Sequence, residues 1–259
     1  MKLLFIADIV GRPGRQAISK ILPEIVKNES IDLVVANGEN LSAGIGITKK
    51  NYDQMIEAGI DLFTSGNHIF DKAEIIPFLD DKSIQIIRPA NYPTNDVPGH
   101  TTHTYEIMGE KIVIANLLGR VFINASLDCP FKTADQIVKD FPGHTIVIDF
   151  HAEATSEKQA LYQHLNGKVA AILGTHTHVP TADARVSDKG TAFITDAGLV
   201  GLENSVLGFD AETIVQKFLT GMPQPYSISS GRTTFNSVIL ETDKSGKARS
   251  IKQLIKIIE

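Results

Sequence analysis

Two histidines, one residue apart, close an apolar run: residues 169–173 (Val-Ala-Ala-Ile-Leu) lead into Gly174-Thr175-His176-Thr177-His178. A short apolar run stopped by glycine reads as a buried strand ending in a turn. If residues 176–178 stay extended, alternation directs both imidazoles to one side of the chain. Neutral imidazoles that converge are metal donors. Residues of similar competence follow other apolar runs. Asp8 stands after 3–7, Glu39 and Asn40 after 32–36, Asn67 and His68 after 60–64, and His151 after 145–150. In an α/β sheet the carboxyl ends of parallel strands share one edge, so these scattered groups can meet there.

Carboxylate, amide and imidazole donors without thiolate suit Fe, Mn, Zn or Ni rather than copper(I) or an iron–sulfur cluster. Asp8, Glu39, Asn40, Asn67, His151, His176 and His178 are more donors than one tetrahedral ion takes. Two ions roughly 3.5–4 Å apart, bridged by a carboxylate, would use them all, and Glu39 is the natural bridge.

The elements that must position these groups alternate between strand and helix. After Gly11-Arg12-Pro13-Gly14, Ile18, Ile21, Leu22, Ile25 and Val26 recur at helical spacing, and Pro23 is expected to kink that helix or split it. Thr48 is an expected N-cap for a helix through Met55 and Ile56 that Gly59 closes. Further helices are expected over 73–79, 134–141, from a Ser156 cap to 166, and over 211–219. Strands are expected over 84–87, 191–195, 234–242 and 249–258, with a hairpin of 104–108 and 111–117 turning at Gly109-Glu110. No repeat, low-complexity segment or composition break marks a linker, so one domain over 1–259 is expected, with a small flap around 89–103.

Composition narrows the function classes. In 259 residues, 42% hydrophobic and 21% charged is ordinary for a globular protein. A net charge of −5 argues against holding a long nucleic acid by its phosphates. Cys129, the single cysteine, allows neither an intramolecular disulfide nor a thiolate cluster. No basic leader and no apolar run of membrane length is present, so a cytoplasmic protein without a membrane partner is expected. A homo-oligomer stays open.

Asp8, Gly38-Glu39-Asn40, Gly66-Asn67-His68, His151 and Gly174-Thr175-His176-Thr177-His178, in that order, resemble the five blocks of the calcineurin-like metallophosphoesterases. Their spelling is similar to the bacterial YmdB-like branch, and the resemblance runs from Met1 to near the C-terminus. It implies an α/β fold, a four-layer αββα sandwich with two mixed sheets face to face. It implies a phosphodiesterase for cyclic nucleotides, 2′,3′-cyclic mononucleotides above others, and two transition-metal ions, iron foremost, with manganese or zinc as alternatives. Carried over, Asp8, Glu39, Asn40 and His178 take one ion, while Glu39, Asn67, His151 and His176 take the other. A hydroxide held by the ions attacks phosphorus, and His68, beside a ligand but not needed as one, protonates the leaving oxygen.

The chain departs from the wider superfamily pattern. The first block usually reads Asp-x-His, and here Val10 stands in the histidine's place, with the Asn40 amide oxygen as substitute. Glu39 replaces the usual bridging Asp, and the acid near His68 comes only at Asp71, where it either orients His68 or caps the next helix. Two other functions compete: a phosphomonoesterase or nuclease using the same metals, and a nucleotide-binding regulatory protein with little turnover. His68 speaks against the second, because pure binding needs no proton donor. His100, His103, His144 and His164 are expected outside the site, and Arg12 and Arg88 are expected exposed rather than at a substrate phosphate. Asn91 and the Gly44-Ile45-Gly46 loop are weaker candidates.

Overall fold

Strands buried on both faces need nearly unbroken apolar runs, and the chain supplies two sets of them. In the computed structural model, which describes residues 1–94, 96–225 and 227–259, β1 (Lys2–Ile6), β3 (Leu33–Asn37) and β4 (Leu62–Thr64) run parallel. β12 (Thr233–Thr242) lies antiparallel to β1, with β13 (Ala248–Ile258) and β11 (Leu199–Leu202) antiparallel to it. β2 (Asp8–Ile9) pairs parallel with β11 and completes a seven-stranded sheet. The second sheet has six strands, in the order β5 (Thr102–Ile107), β6 (Glu110–Leu118), β7 (Thr145–His151), β8 (Ala171–Thr175), β10 (Ala192–Ile194) and β9 (Arg185–Val186). Its inner strands are parallel and its outer pairs antiparallel, so both sheets are mixed.

Alternation along the strands builds the layers. Leu3 and Phe5 of β1, with Val35 and Leu62, share one apolar cluster with Ile114, Val147 and Leu173 of the other sheet. The two sheets therefore pack face to face. Leu4 and Ile6 point the other way, onto Ile18 and Leu22 of α1 (Gly11–Glu29) and Tyr52 and Met55 of α2 (Lys49–Glu57). On the far face of the second sheet, Ile148 and Ile172 meet Ile137 of α3 (Pro130–Asp140) and Leu161 and Leu165 of α4 (Thr155–Leu165). The result is the α/β, four-layer αββα stack that the sequence implied, with α5 (Ala211–Thr220) at the edge that carries the site.

Local differences from the sequence reading have local causes. Pro23 does not split α1. Ile18, Leu22 and Ile25 anchor the helix on both sides of it, while Pro23 and Ser19 are exposed, so the carbonyl that loses its donor is open to water. Thr48 caps α2 as expected, accepting from the Asn51 amide, and Gly59 follows at φ 105°. Residues 84–87 contribute isolated bridges at Ile86 and Ile87 rather than a strand, and α4 is capped at Ala154, with Ser156 already inside its first turn. Residues 73–78 form a 3-10 helix. The expected flap at 89–103 includes Asn95, outside the described residues, and its last two residues belong to β5. Among the described residues no helix is long and apolar enough to cross a membrane.

Candidate metal centre

The carboxyl ends of β1, β3, β4, β7 and β8 lie along one edge of the two sheets. Asp8, two residues past β1 and the first of β2, and His151, the last residue of β7, are fully buried, and Glu39, two residues past β3, is 1% exposed. His151 Nε2 sits 3.0 Å from Glu39 Oε1 and 3.0 Å from His176 Nδ1. These three side chains form a compact donor set. Asp8 accepts the His176 amide at 3.2 Å through Oδ2 and holds Oδ1 3.9 Å from His178 Nε2. Gly66 permits this closeness, because a Cβ there would collide with Glu39 Oε2 and the His151 ring.

Each of the three histidines has one nitrogen tied up by an acceptor, which fixes the other as the donor to a cation. The Thr175 hydroxyl gives its proton to Asp149 Oδ1 at 2.7 Å, so its 2.9 Å contact with His151 Nδ1 is an N–H donated by the ring. Asp149 is held in turn by Asn37 Nδ2 at 3.0 Å, a bond between the two sheets. His176 Nε2 donates to Glu153 Oε2 at 3.0 Å, and His178 Nδ1 donates to the Leu207 carbonyl at 3.0 Å. Tautomers assigned from this network leave His151 Nε2, His176 Nδ1 and His178 Nε2 facing the shared space.

Oxygens of the candidate donors are short of partners. Asp8 Oδ1, Asn40 Oδ1 and Asn67 Oδ1 are buried without a hydrogen bond. Asn40 is oriented by its other end, since Nδ2 donates to the Gly44 carbonyl at 2.9 Å. An unsatisfied buried oxygen costs about 1–3 kcal/mol, and a cation removes that cost. The donor chemistry and the orphaned oxygens both fit transition-metal ions.

The buried carboxylates and imidazoles shift one another's protonation. Burial pushes the Asp8 carboxyl up to about 6 despite His178 and His151. For Glu39, burial acts upward, but the charge and hydrogen bond of His151, with His68, outweigh it and hold the carboxyl at about 2. For His151, burial acts downward, and Glu39, Asp8 and Asp149 overcome it to raise the ring to about 9. Burial and the His151 charge lower His176 to about 3. Without a metal, one proton on His151 answers the surrounding carboxylates.

The apolar run of 169–173 does end in a turn at Gly174–His178, and residues 176–178 do not stay extended. His176 has φ 98° and His178 has φ 63°, left-handed values costly for side-chain-bearing residues. Asp196 holds the turn, accepting from the Thr177 amide at 3.0 Å and hydroxyl at 2.8 Å. Fully buried Lys158 of α4 neutralises Asp196 at 2.9 Å and donates to the Thr175 carbonyl at 2.7 Å. Sequence reasoning missed Asp149, Lys158, Glu153 and Asp196. Asp149 could have been found as an acid inside an apolar strand, and Asp196 as a polar residue just past the β10 run.

His68 lies on the rim, with its amide on Glu39 Oε2 at 3.0 Å and its Nδ1 2.6 Å from Asp71 Oδ2. Asp71 therefore orients His68, and it is Lys72 that stands at the cap of the next helix, without a side-chain bond. Arg88, expected exposed, is buried and donates to the carbonyls of Pro89, Val97 and Pro98. Asn91 likewise ties Leu118 to Asp128. Arg12 is exposed and lines a separate cleft of about 1190 Å³ that holds none of the candidate donors. A cavity of about 450 Å³ opens on Glu39, Asn40, His68, His176 and His178.

A family model described as YmdB-like protein matches residues 4–254. The chain belongs to the YmdB-like family. A Bacillus subtilis (strain 168) protein named 2′,3′-cyclic-nucleotide 2′-phosphodiesterase is 41% identical over 258 residues, 98% of this chain and 97% of its own. Among solved structures, a hypothetical protein from Thermus thermophilus has TM-score 0.93 at 38% identity over 99% of each chain. A Mycoplasma pneumoniae protein described as a novel phosphatase also has TM-score 0.93, at 33% identity over 99% of this chain and 93% of its own.

Proposed function

We propose that this protein is a metal-dependent phosphodiesterase that opens 2′,3′-cyclic mononucleotides, with His68 as the general acid. The observation that carries the reading is the set of tautomer-fixed histidine nitrogens, with orphaned buried oxygens on the other candidate donors. Asp8, Glu39, Asn40 and His178 would hold one ion, and Glu39, Asn67, His151 and His176 the other. When bound, two transition-metal ions, with iron foremost, supply positive charge to the phosphoryl oxygens and make a water acidic enough to attack phosphorus.

The chain's own residues do the rest. Asp149 and Thr175 hold the His151 ring, Glu153 holds His176, and Leu207 holds His178, so little reorganisation accompanies reaction. A ribose alkoxide is a poor leaving group and needs a proton. Asp71 holds His68 through Nδ1, leaving Nε2 to give that proton to the departing 2′-oxygen, which yields a 3′-phosphate. The named activity of the B. subtilis relative, similar over 98% of this chain, supports the substrate class. Metal-loaded protein should hydrolyse 2′,3′-cyclic mononucleotides faster than 3′,5′-cyclic ones or terminal monoesters, and chromatography should find the 3′-phosphate. A clear preference for monoesters would make it a phosphomonoesterase instead.

A further inference from the structure

The cavity at the metal centre is also lined by side chains that take no part in the chemistry described above. Besides Glu39, Asn40 and His68, the cavity is lined by Ile45, Leu207, Phe209, Ile214 and Phe218, a mainly apolar stretch in which Lys217 of α5 is the one cation among the described residues. The volume, about 450 Å³, falls within the range of about 300–1,000 Å³ that encloses small-molecule ligands. The wall is physically joined to the donors. Val206 and Phe209 exchange two backbone bonds, at 2.9 and 3.0 Å, closing a tight turn in which Leu207 has φ 55°. That turn aims the Leu207 carbonyl at His178 Nδ1 and carries Leu207 and Phe209 to the cavity. α5 completes the wall. Asp210 caps it through the Thr213 amide, Ile214 is buried, and Phe218, one turn later on the same face, stands 81% exposed at the lip.

We propose that Phe218, with Leu207 and Phe209, is the platform on which the nucleobase of the substrate stacks. This rests on the cyclic-nucleotide reading above. A mononucleotide whose phosphate lies at the Glu39–His176 end must put its base on some other wall, and this wall offers a flat aromatic face at the cavity mouth. Burying that face under a base removes apolar area from water and adds stacking. Stacking on rings and aliphatic chains reads no base edge, so the platform itself accepts all four bases, with purines gaining most from their larger area. Val215, Leu219 and Met222 are also exposed on or just past α5 but do not line the cavity, so a second copy of the chain covering the helix is the competing occupant.

The test compares 2′,3′-cyclic AMP with base-free ribose 2′,3′-cyclic phosphate on metal-loaded wild type, F218A and F218W. The ratio of kcat/KM for the nucleotide to that for the base-free ester should fall roughly tenfold to hundredfold in F218A and recover in F218W. Equal loss on both substrates, or no loss on either, overturns the platform. So does an F218A chain that sediments at a smaller mass than wild type while keeping the ratio, since a second copy then covers Phe218. If wild type hydrolyses neither ester, the cyclic-nucleotide reading has failed, and adenosine titrated into the metal-loaded chain decides the platform separately. Binding weakened fivefold or more by F218A supports it, and no binding or equal binding overturns it.

Discussion

Thr175 is the link through which Asp149 acts on His151, and Thr175→Val removes that link while keeping the side chain's shape. Two buried contacts disappear, 2.9 Å to His151 Nδ1 and 2.7 Å to Asp149 Oδ1. Each leaves a buried group short of a partner, worth about 1–3 kcal/mol. Asp149 keeps Asn37 at 3.0 Å, which puts its share at the low end. A total near 2–3 kcal/mol lowers the melting temperature of a chain this size by roughly 5–10 °C. The larger consequence is for metal. Once Nδ1–H has no acceptor, the ring no longer has one preferred tautomer, and part of the population turns an N–H toward the ions. Losing such a partner weakens metal affinity roughly tenfold to hundredfold. Calorimetric melting of the metal-free chain and metal titration against a competing chelator read the two effects. Thr175→Ser keeps the hydroxyl and should remain within a few fold of wild type. An unchanged metal affinity in Thr175→Val would refute the tautomer reasoning.

Three other perturbations have defined outcomes. Lys158→Met strands the buried Asp196 carboxylate, which costs about 3–5 kcal/mol and should lower the melting temperature by roughly 6–20 °C; adding Asp196→Asn should recover part of it. His151 keeps its proton up to about pH 9 in the metal-free chain, and Asp8 keeps its own up to about 6. Loading therefore releases one proton between those values, and metal affinity should rise roughly tenfold per pH unit there, more steeply below; calorimetry in buffers of different ionisation heat counts the proton, and a pH-independent affinity contradicts the sign. His68→Ala should leave metal content near normal and cut turnover of an alkoxide-leaving substrate by roughly a hundredfold. The loss should shrink for an activated aryl diester, and equal losses would make His68 a positioning residue.

The candidate donors were legible because a sheet edge collects the residues that follow its strands, and Asp8, Glu39, Asn67, His151 and His176 all follow apolar runs. What holds them was not. The acceptor for His178 is a backbone carbonyl at Leu207, 29 positions away, which no side-chain pattern encodes. Lys158 sits in a helix whose sequence reads as an ordinary charged face, yet its ammonium lies under the His176 turn because Asp196 and the Thr175 carbonyl are there to receive it. Strand alternation would have aimed His176 and His178 to one side only if 176–178 stayed extended, and the Asp196 bonds to Thr177 hold a turn there instead. β2 and β9, at two residues each, are too short for any periodicity to register.

The central claim is that Glu39 bridges two ions in one site. Elemental analysis of fully loaded, active protein, beside Glu39→Ala prepared the same way, tests it most directly. Wild type should hold about two transition-metal ions per chain, and Glu39→Ala should lose both together, because Glu39 would be shared by the two ions. Full activity with a single ion per chain, or a Glu39→Ala protein that keeps one ion at wild-type affinity, would contradict it.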